Sequence, residues 1–189
     1  MKRFTLLPIF TFLMTLSFAH AADYMLDKAH SHVEFKVKHM MISNVSGDFK
    51  DFDAVIQFDE KNKKLTKLEG TIQVASIDTG IEKRDNHLRS DDFFAADKHP
   101  KMTFKMTKAT DDAVTGELTI RGVTKTVTLD LDFGGVATDP WGNERMGFEL
   151  SGKINRKDFG LMWNKALETG GVLVGDTVKM TVAVEAIKK

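Results

Sequence analysis

The 189-residue chain contains no cysteine. That excludes a disulfide, a thiolate nucleophile, a Cys-ligated zinc and a Cys-linked lipid anchor, so packing alone must hold the core. Proline is scarce, at 3 residues, and no Pro/Ser-rich linker, low-complexity tract or internal repeat divides the chain. An excess of basic charge is missing too, because 27 Lys and Arg face 27 Asp and Glu. With no surplus to neutralise phosphates, a nucleic-acid partner is excluded as a function class. Beyond the N-terminus no apolar run is long enough to cross a bilayer.

The single long apolar run begins the chain. Lys2 and Arg3 precede an apolar stretch from Phe4 to Phe18, and Ala19-His20-Ala21 follows as a small-x-small cleavage pattern. This reads as a secretory signal peptide over residues 1–21, the stretch being shorter than the roughly 20 residues of a spanning helix. Cleavage after Ala21 leaves residues 22–189 as one domain, able to bury roughly 70% of its unfolded surface. It also removes two bases and no acid, leaving a slightly acidic chain bound for the periplasm or beyond, where a free thiol would be a liability.

What the remainder has in quantity is alternation. In "AHSHVEFKVKH", His32, Glu34, Lys36 and Lys38 alternate with Val33, Phe35, Val37 and His39, the pattern of a half-buried antiparallel strand. The same period sets Phe52, Ala54, Ile56 and Phe58 on one face, then Met102, Phe104 and Met106, then Val127, Leu129, Leu131 and Phe133. It continues with Met146, Phe148 and Leu150, and with Val178, Met180, Val182 and Val184. Further strands are expected over Leu68 to Val74 and Val114 to Arg121, the second entering a hairpin at Gly122. About eight strands with one apolar face each need a shared interior, so the class is all-β and antiparallel. A sandwich and a barrel both satisfy the pattern; strands near ten residues and the need to remove exposed edges without disulfides favour a barrel.

One segment breaks the rhythm. In "SIDTGIEKRDNHLRSDDFFAADKHP", Thr79 stands three residues before Glu82, a capping-box spacing that predicts one short helix near residues 80–92. Ile81, Leu88, Phe93 and Phe94 give it a thin apolar stripe suited to lidding a barrel end.

The strings "AHSHVEFKVKH", "VSGDFKDFDAVIQFD", "SIDTGIEKRDNHLRSDDFF", "HPKMTFK", "GELTIRGVTKTVTLDL" and "INRKDFG", in that order, resemble the YceI-like family of bacterial periplasmic proteins across essentially all of residues 22–189. The resemblance implies a lipocalin-like antiparallel β-barrel, a homodimer, and an elongated pocket that takes a polyisoprenoid or another long-chain fatty amphiphile, with no cofactor. The composition by itself favours a solid, side-chain-filled interior, and the resemblance reverses that preference. If the interior is hollow, its lining is the inward set: Phe35, Val37, His39, Phe52, Ile56, Phe58, Ile72, Val74, Met102, Phe104, Met106, Leu118, Ile120, Val127, Leu129, Leu131, Phe133, Met146, Phe148, Leu150 and Met180, with Met162 and Trp163 beyond "INRKDFG". Its wealth of Phe and Met suits an adaptable apolar pocket.

The chemistry-bearing residues suggest other classes. His30 and His32 share the charged strand face and make half a metal site at most, while His39 falls on the apolar face and needs a hydrogen-bond partner. Asp85 and His87 lie about 200° apart on a helix and do not face each other, so solvated charges and anchoring ion pairs account for them better than acid/base catalysis. Arg84 and Arg89 are candidates for holding a lipid head group at the pocket entrance. "KDFG" lacks the other kinase elements and reads as a turn, with Arg156 and Asp158 free to bond backbone. "GGVLVGD" reads as a loop or bulge before the last strand. Beside a lipid carrier, two classes stay open: a metal or acid/base enzyme using His30, His32, His87 or Asp85, and a filled-barrel stress protein acting through protein contacts.

Overall fold

The computed structural model describes residues 21–168 and 170–189. The expected signal peptide therefore lies outside the described residues, apart from Ala21. The elements are β1 (Ala22–Leu26), β2 (His32–His39), β3 (Ser43–Phe49), β4 (Phe52–Asp59), β5 (Lys64–Gln73), β6 (Ile77–Asp78), α1 (Glu82–Arg89), β7 (Lys101–Ala109), β8 (Ala113–Ile120), β9 (Val123–Thr138), β10 (Glu144–Asn155) and β11 (Val174–Lys188). Every pairing is antiparallel. The cycle β1-β4-β5-β7-β8-β9-β10-β11 closes through β1 and β11 into an eight-stranded barrel. Among the described residues, no helix is long and apolar enough to cross a membrane.

The apolar face of each strand turns inward as the alternation requires. On β8 the buried residues include Val114, Leu118 and Ile120, and on β10 Met146, Phe148 and Leu150. The β8–β9 hairpin turns on Arg121 and Gly122, both at positive φ (49° and 74°), the geometry that matches the right-handed strand twist. The Gly-rich stretch at residues 170–176 is a loop running into β11, and a register shift follows between Val174 and Val178.

Three strands are absent from the alternation pattern, among them β6 with only two residues. β1 is only five residues long, and β3, "SNVSGDF", carries little apolar side chain. β1 finds its place through the length of β11, whose 15 residues reach about 50 Å, while β3 is added on β2. One edge of β11 therefore serves two partners, β1 opposite Ala186–Lys188 and β2 opposite Val174–Ala183. The break between them is tied down by Ser31, 2% exposed, whose hydroxyl donates to the Glu185 carbonyl and accepts from the Glu185 N–H. β2, β3 and β6 then continue as a flap away from β4, so the wall splits on that side.

The helix differs from expectation at its start. It runs Glu82–Arg89 with Ile81 as the residue before the first turn and no side-chain cap. Thr79 and Glu82 do not form a capping box; instead Asp85 reaches back to accept from the Thr79 N–H (2.9 Å) and hydroxyl. Asp85 is accordingly buried and not solvated. Ile81 leaves the apolar stripe and is 53% exposed, whereas Leu88, Phe93 and Phe94 face the interior.

Candidate functional site

The barrel interior is filled at one end and hollow toward the other. At the filled end Phe58 stacks on Phe133 (ring centroids 5.1 Å apart) and meets Tyr24 edge-on at 6.2 Å, with Ile56, Leu65, Val114, Met146 and Phe148 packed around them. The Tyr24 hydroxyl donates to Glu144 at 2.6 Å, and Lys188 bridges Glu144 and Glu60 beside it. Burial, and then the Glu144 carboxylate, push the Tyr24 hydroxyl well above the usual phenol range, so it stays a donor.

Past this plug lies a cavity of about 210 Å³. β2 gives it Val33, Phe35 and Val37; β4 and β5 give Phe52, Leu68 and Ile72; β7 and β8 give Met102, Phe104, Leu118 and Ile120. The long strands add Leu129, Leu150, Ile154, Val178, Met180, Val182 and Val184. α1 and the segment after it close over this region with Leu88, Phe93 and Phe94. The polar residues that reach the cavity are Glu34, Asp53, Thr71, Thr103 and Arg156. Glu34 and Asp53 are exposed, and they stand on β2 and β4, the two strands between which no ladder runs.

Eleven of the expected lining residues therefore border the cavity: Phe35, Val37, Phe52, Ile72, Met102, Phe104, Leu118, Ile120, Leu129, Leu150 and Met180. Ile56, Phe58, Leu131, Phe133, Met106, Met146 and Phe148 face inward but belong to the filled end or its margin, because alternation gives the face of a residue and not its height along the barrel. Val74 is buried and Val127 half-buried in side-chain packing outside the cavity. Met162 is 60% exposed, since it lies in the loop after residue 160 where no strand fixes a face. Trp163 packs at the lid, edge-on to His87 (4.8 Å) and tilted against Phe93 (5.2 Å), and does not line the cavity. His39 is half-buried at the end of β2, outside the lining.

Arg84 and Arg89 do not face the cavity. Arg84 donates to the Thr79 hydroxyl and carbonyl (both 2.7 Å), and Arg89 to the carbonyls of Ala75 and Ile77 (both 2.8 Å), so both tie α1 to the flap. The guanidinium that reaches the cavity is Arg156, 3% exposed, which donates to the carbonyls of Leu161, Trp163, Val174 and Gly175 and pairs with Asp176. Burial lowers its pKa, and Asp176 opposes that. Leu26, Phe159 and Leu161, also in the lining, lie in a five-residue strand, a turn and a loop that present too few residues for a period to show, and Phe49 ends β3, which has too few apolar residues to show one.

Of the histidines, His30 meets Asp27 at 2.9 Å, and these two with Glu185 lie close enough to ligate a metal. Arg145 already occupies the centre of that group, donating to Asp27 (2.7 Å), Glu185 (2.6 Å) and Asp139 (2.8 Å). A resident guanidinium satisfies the acids. His32 is exposed and not part of the group. His87 contacts Asp92 at 2.9 Å, and Asp85 is bound to Thr79.

An eight-stranded antiparallel barrel, half plugged and half hollow under a helical lid, defines a lipocalin-like barrel. The chain belongs to the YceI-like domain family, whose model matches residues 24–186. The UPF0312 protein of Staphylococcus epidermidis is 44% identical over 160 residues, covering 84% of this chain and 94% of that one. The YceI protein of Campylobacter jejuni superposes with a TM-score of 0.70 at 46% identity, over 88% of this chain and 98% of that one. A structure described as a polyisoprenoid binding domain from Saccharophagus degradans, 15% identical, shares the fold with a TM-score of 0.65 over 90% of this chain and 100% of that one.

Proposed function

We propose that the chain holds a long-chain amphiphile, a polyisoprenoid or a lipid of similar shape, with its tail in the cavity and its plug end closed, and that it does so in the periplasm or outside the cell for transport, storage or sequestration. The observation that carries this reading is the cavity itself, an apolar hollow continuous from the middle of the barrel to the lid. Walls of this kind bind a chain without activating it. Each buried CH₂ contributes about 0.8 kcal/mol, so ten give roughly 8 kcal/mol before several kcal/mol of association cost, enough for useful affinity without a polar contact. The description of the Saccharophagus degradans domain as polyisoprenoid binding supports the ligand class. The N-terminal charged, apolar and small-x-small pattern supports export.

Native mass spectrometry of protein purified without added ligand tests the reading. The expected result is a co-purifying lipid, released on denaturation, or uptake of a fluorescent fatty probe that a polyprenol displaces. Protein that is empty and also refuses every such probe overturns it.

A further inference from the structure

The β2–β3 hairpin ends in Met40-Met41-Ile42, which are 39%, 56% and 81% exposed. Met40 and Met41 both sit at positive φ (50° and 65°), and the Ile42 N–H closes the turn on the His39 carbonyl at 3.2 Å. Asn and Gly take that geometry at low cost and methionine does not, so the tip holds apolar side chains in water against local preference.

Behind the tip the outer barrel face carries a row of like charge. Lys36 pairs directly with Lys179 on β11, and Lys179 directly with Lys153 on β10; Lys38 lies two residues nearer the tip. All four are exposed, and none forms an ion pair among the described residues. Like charges opposite one another across a ladder are unfavourable, so this row costs the free protein stability. The same strands present Val37 and Val178 to the cavity, and the Met40 N–H is bonded at 2.8 Å to Leu173, next to the lining residue Val174.

We propose that this hairpin tip and lysine row form a docking surface for an anionic lipid bilayer. The Met-Met-Ile tip enters the boundary between head groups and chains while Lys36, Lys38, Lys153 and Lys179 meet the phosphates. Docking there brings one end of the cavity wall against the source of its ligand. The purpose of the surface rests on the lipid-holding reading; its existence does not.

The test is flotation of the chain from residue 22 with phosphatidylglycerol-containing vesicles and with pure phosphatidylcholine vesicles, alongside solution uptake of a fluorescent fatty probe. The chain is expected to float only with the anionic vesicles, and each of Lys36→Ser and Lys179→Ser to weaken that binding roughly fivefold. The double change Met40→Asn, Met41→Gly is expected to raise the melting temperature, because it restores the preferred turn pair, while lowering vesicle binding. Lost docking in a more stable protein cannot come from misfolding. Probe uptake without flotation, variants that float unchanged, or tip variants that instead dissolve a dimer overturn the docking proposal. Flotation by protein that is empty and takes up no probe leaves the docking surface in place and overturns the lipid-holding reading.

Discussion

The ring of Phe35 covers Gly47, its direct partner across β2 and β3: a methyl group at position 47 would stand 2.6 Å from Phe35 Cζ and 2.7 Å from Thr79 Cγ2. Phe35 also lines the cavity, so the glycine sets how far that ring leans out of it. Gly47→Ala is expected to push the ring into the hollow, costing about 1–3 kcal/mol and lowering affinity for a fatty probe. Probe titration beside thermal melting checks this, and unchanged affinity in a folded variant contradicts it.

The two halves of the barrel are expected to respond oppositely to mutation. Phe58→Ala removes the ring that stacks on Phe133 in the plug and is expected to destabilise by about 3–5 kcal/mol without reducing probe affinity in the folded fraction. Met180→Trp fills the cavity and is expected to abolish probe binding with a stability change of about 1–3 kcal/mol. Equal loss of binding in both variants would mean that plug and hollow are not separate.

Arg156 holds the cavity-end loop by bonding to four backbone carbonyls. Arg156→Met keeps most of the volume but strands buried acceptors, and is expected to cost about 3 kcal/mol. Hydrogen exchange should show faster opening of residues 161–175, with the filled end unchanged.

The network around Arg145 predicts a pH window. Hydrogen bonds, from His30 first and then Arg145, hold the Asp27 carboxyl at about 2, below its usual 3.8. Its folded pKa lies below the unfolded one, so its contribution is present above about pH 4 and is lost as pH falls through about 2. The same bond raises His30 above its usual 6.5, so that share is complete below 6.5 and fades as pH rises through the raised value. The stability difference between the native chain and His30→Asn is therefore expected to be largest between about pH 4 and 6.5. Denaturant midpoints measured across pH 2 to 9 check it; a flat difference would show that the pair contributes nothing.

Much of the fold is legible in the residues. The alternation on β2, β4, β7, β9, β10 and β11 names both the strands and their inner faces, because side-chain period in a strand is two whatever the rest of the chain does. The site is legible only in part, and the charged residues of α1 show why. Arg84 and Arg89 look like anion binders in the sequence, yet the flap places unpaired carbonyls within their reach, and buried acceptors are satisfied first.

By itself, then, the sequence determined an all-β chain without covalent staples, the inward face of each long strand and the short helix after β6, since these follow from periodicity and local chemistry. Tertiary structure alone decided where along the barrel the interior fills and where it stays open. Phe58 and Phe133 are far apart in sequence and stack only because β4 and β9 stand across the same interior, and no local pattern records that meeting. Closure of β1 on one edge of β11, beside β2 on the same edge, is likewise a consequence of strand length and register, which become physical only when the strands assemble.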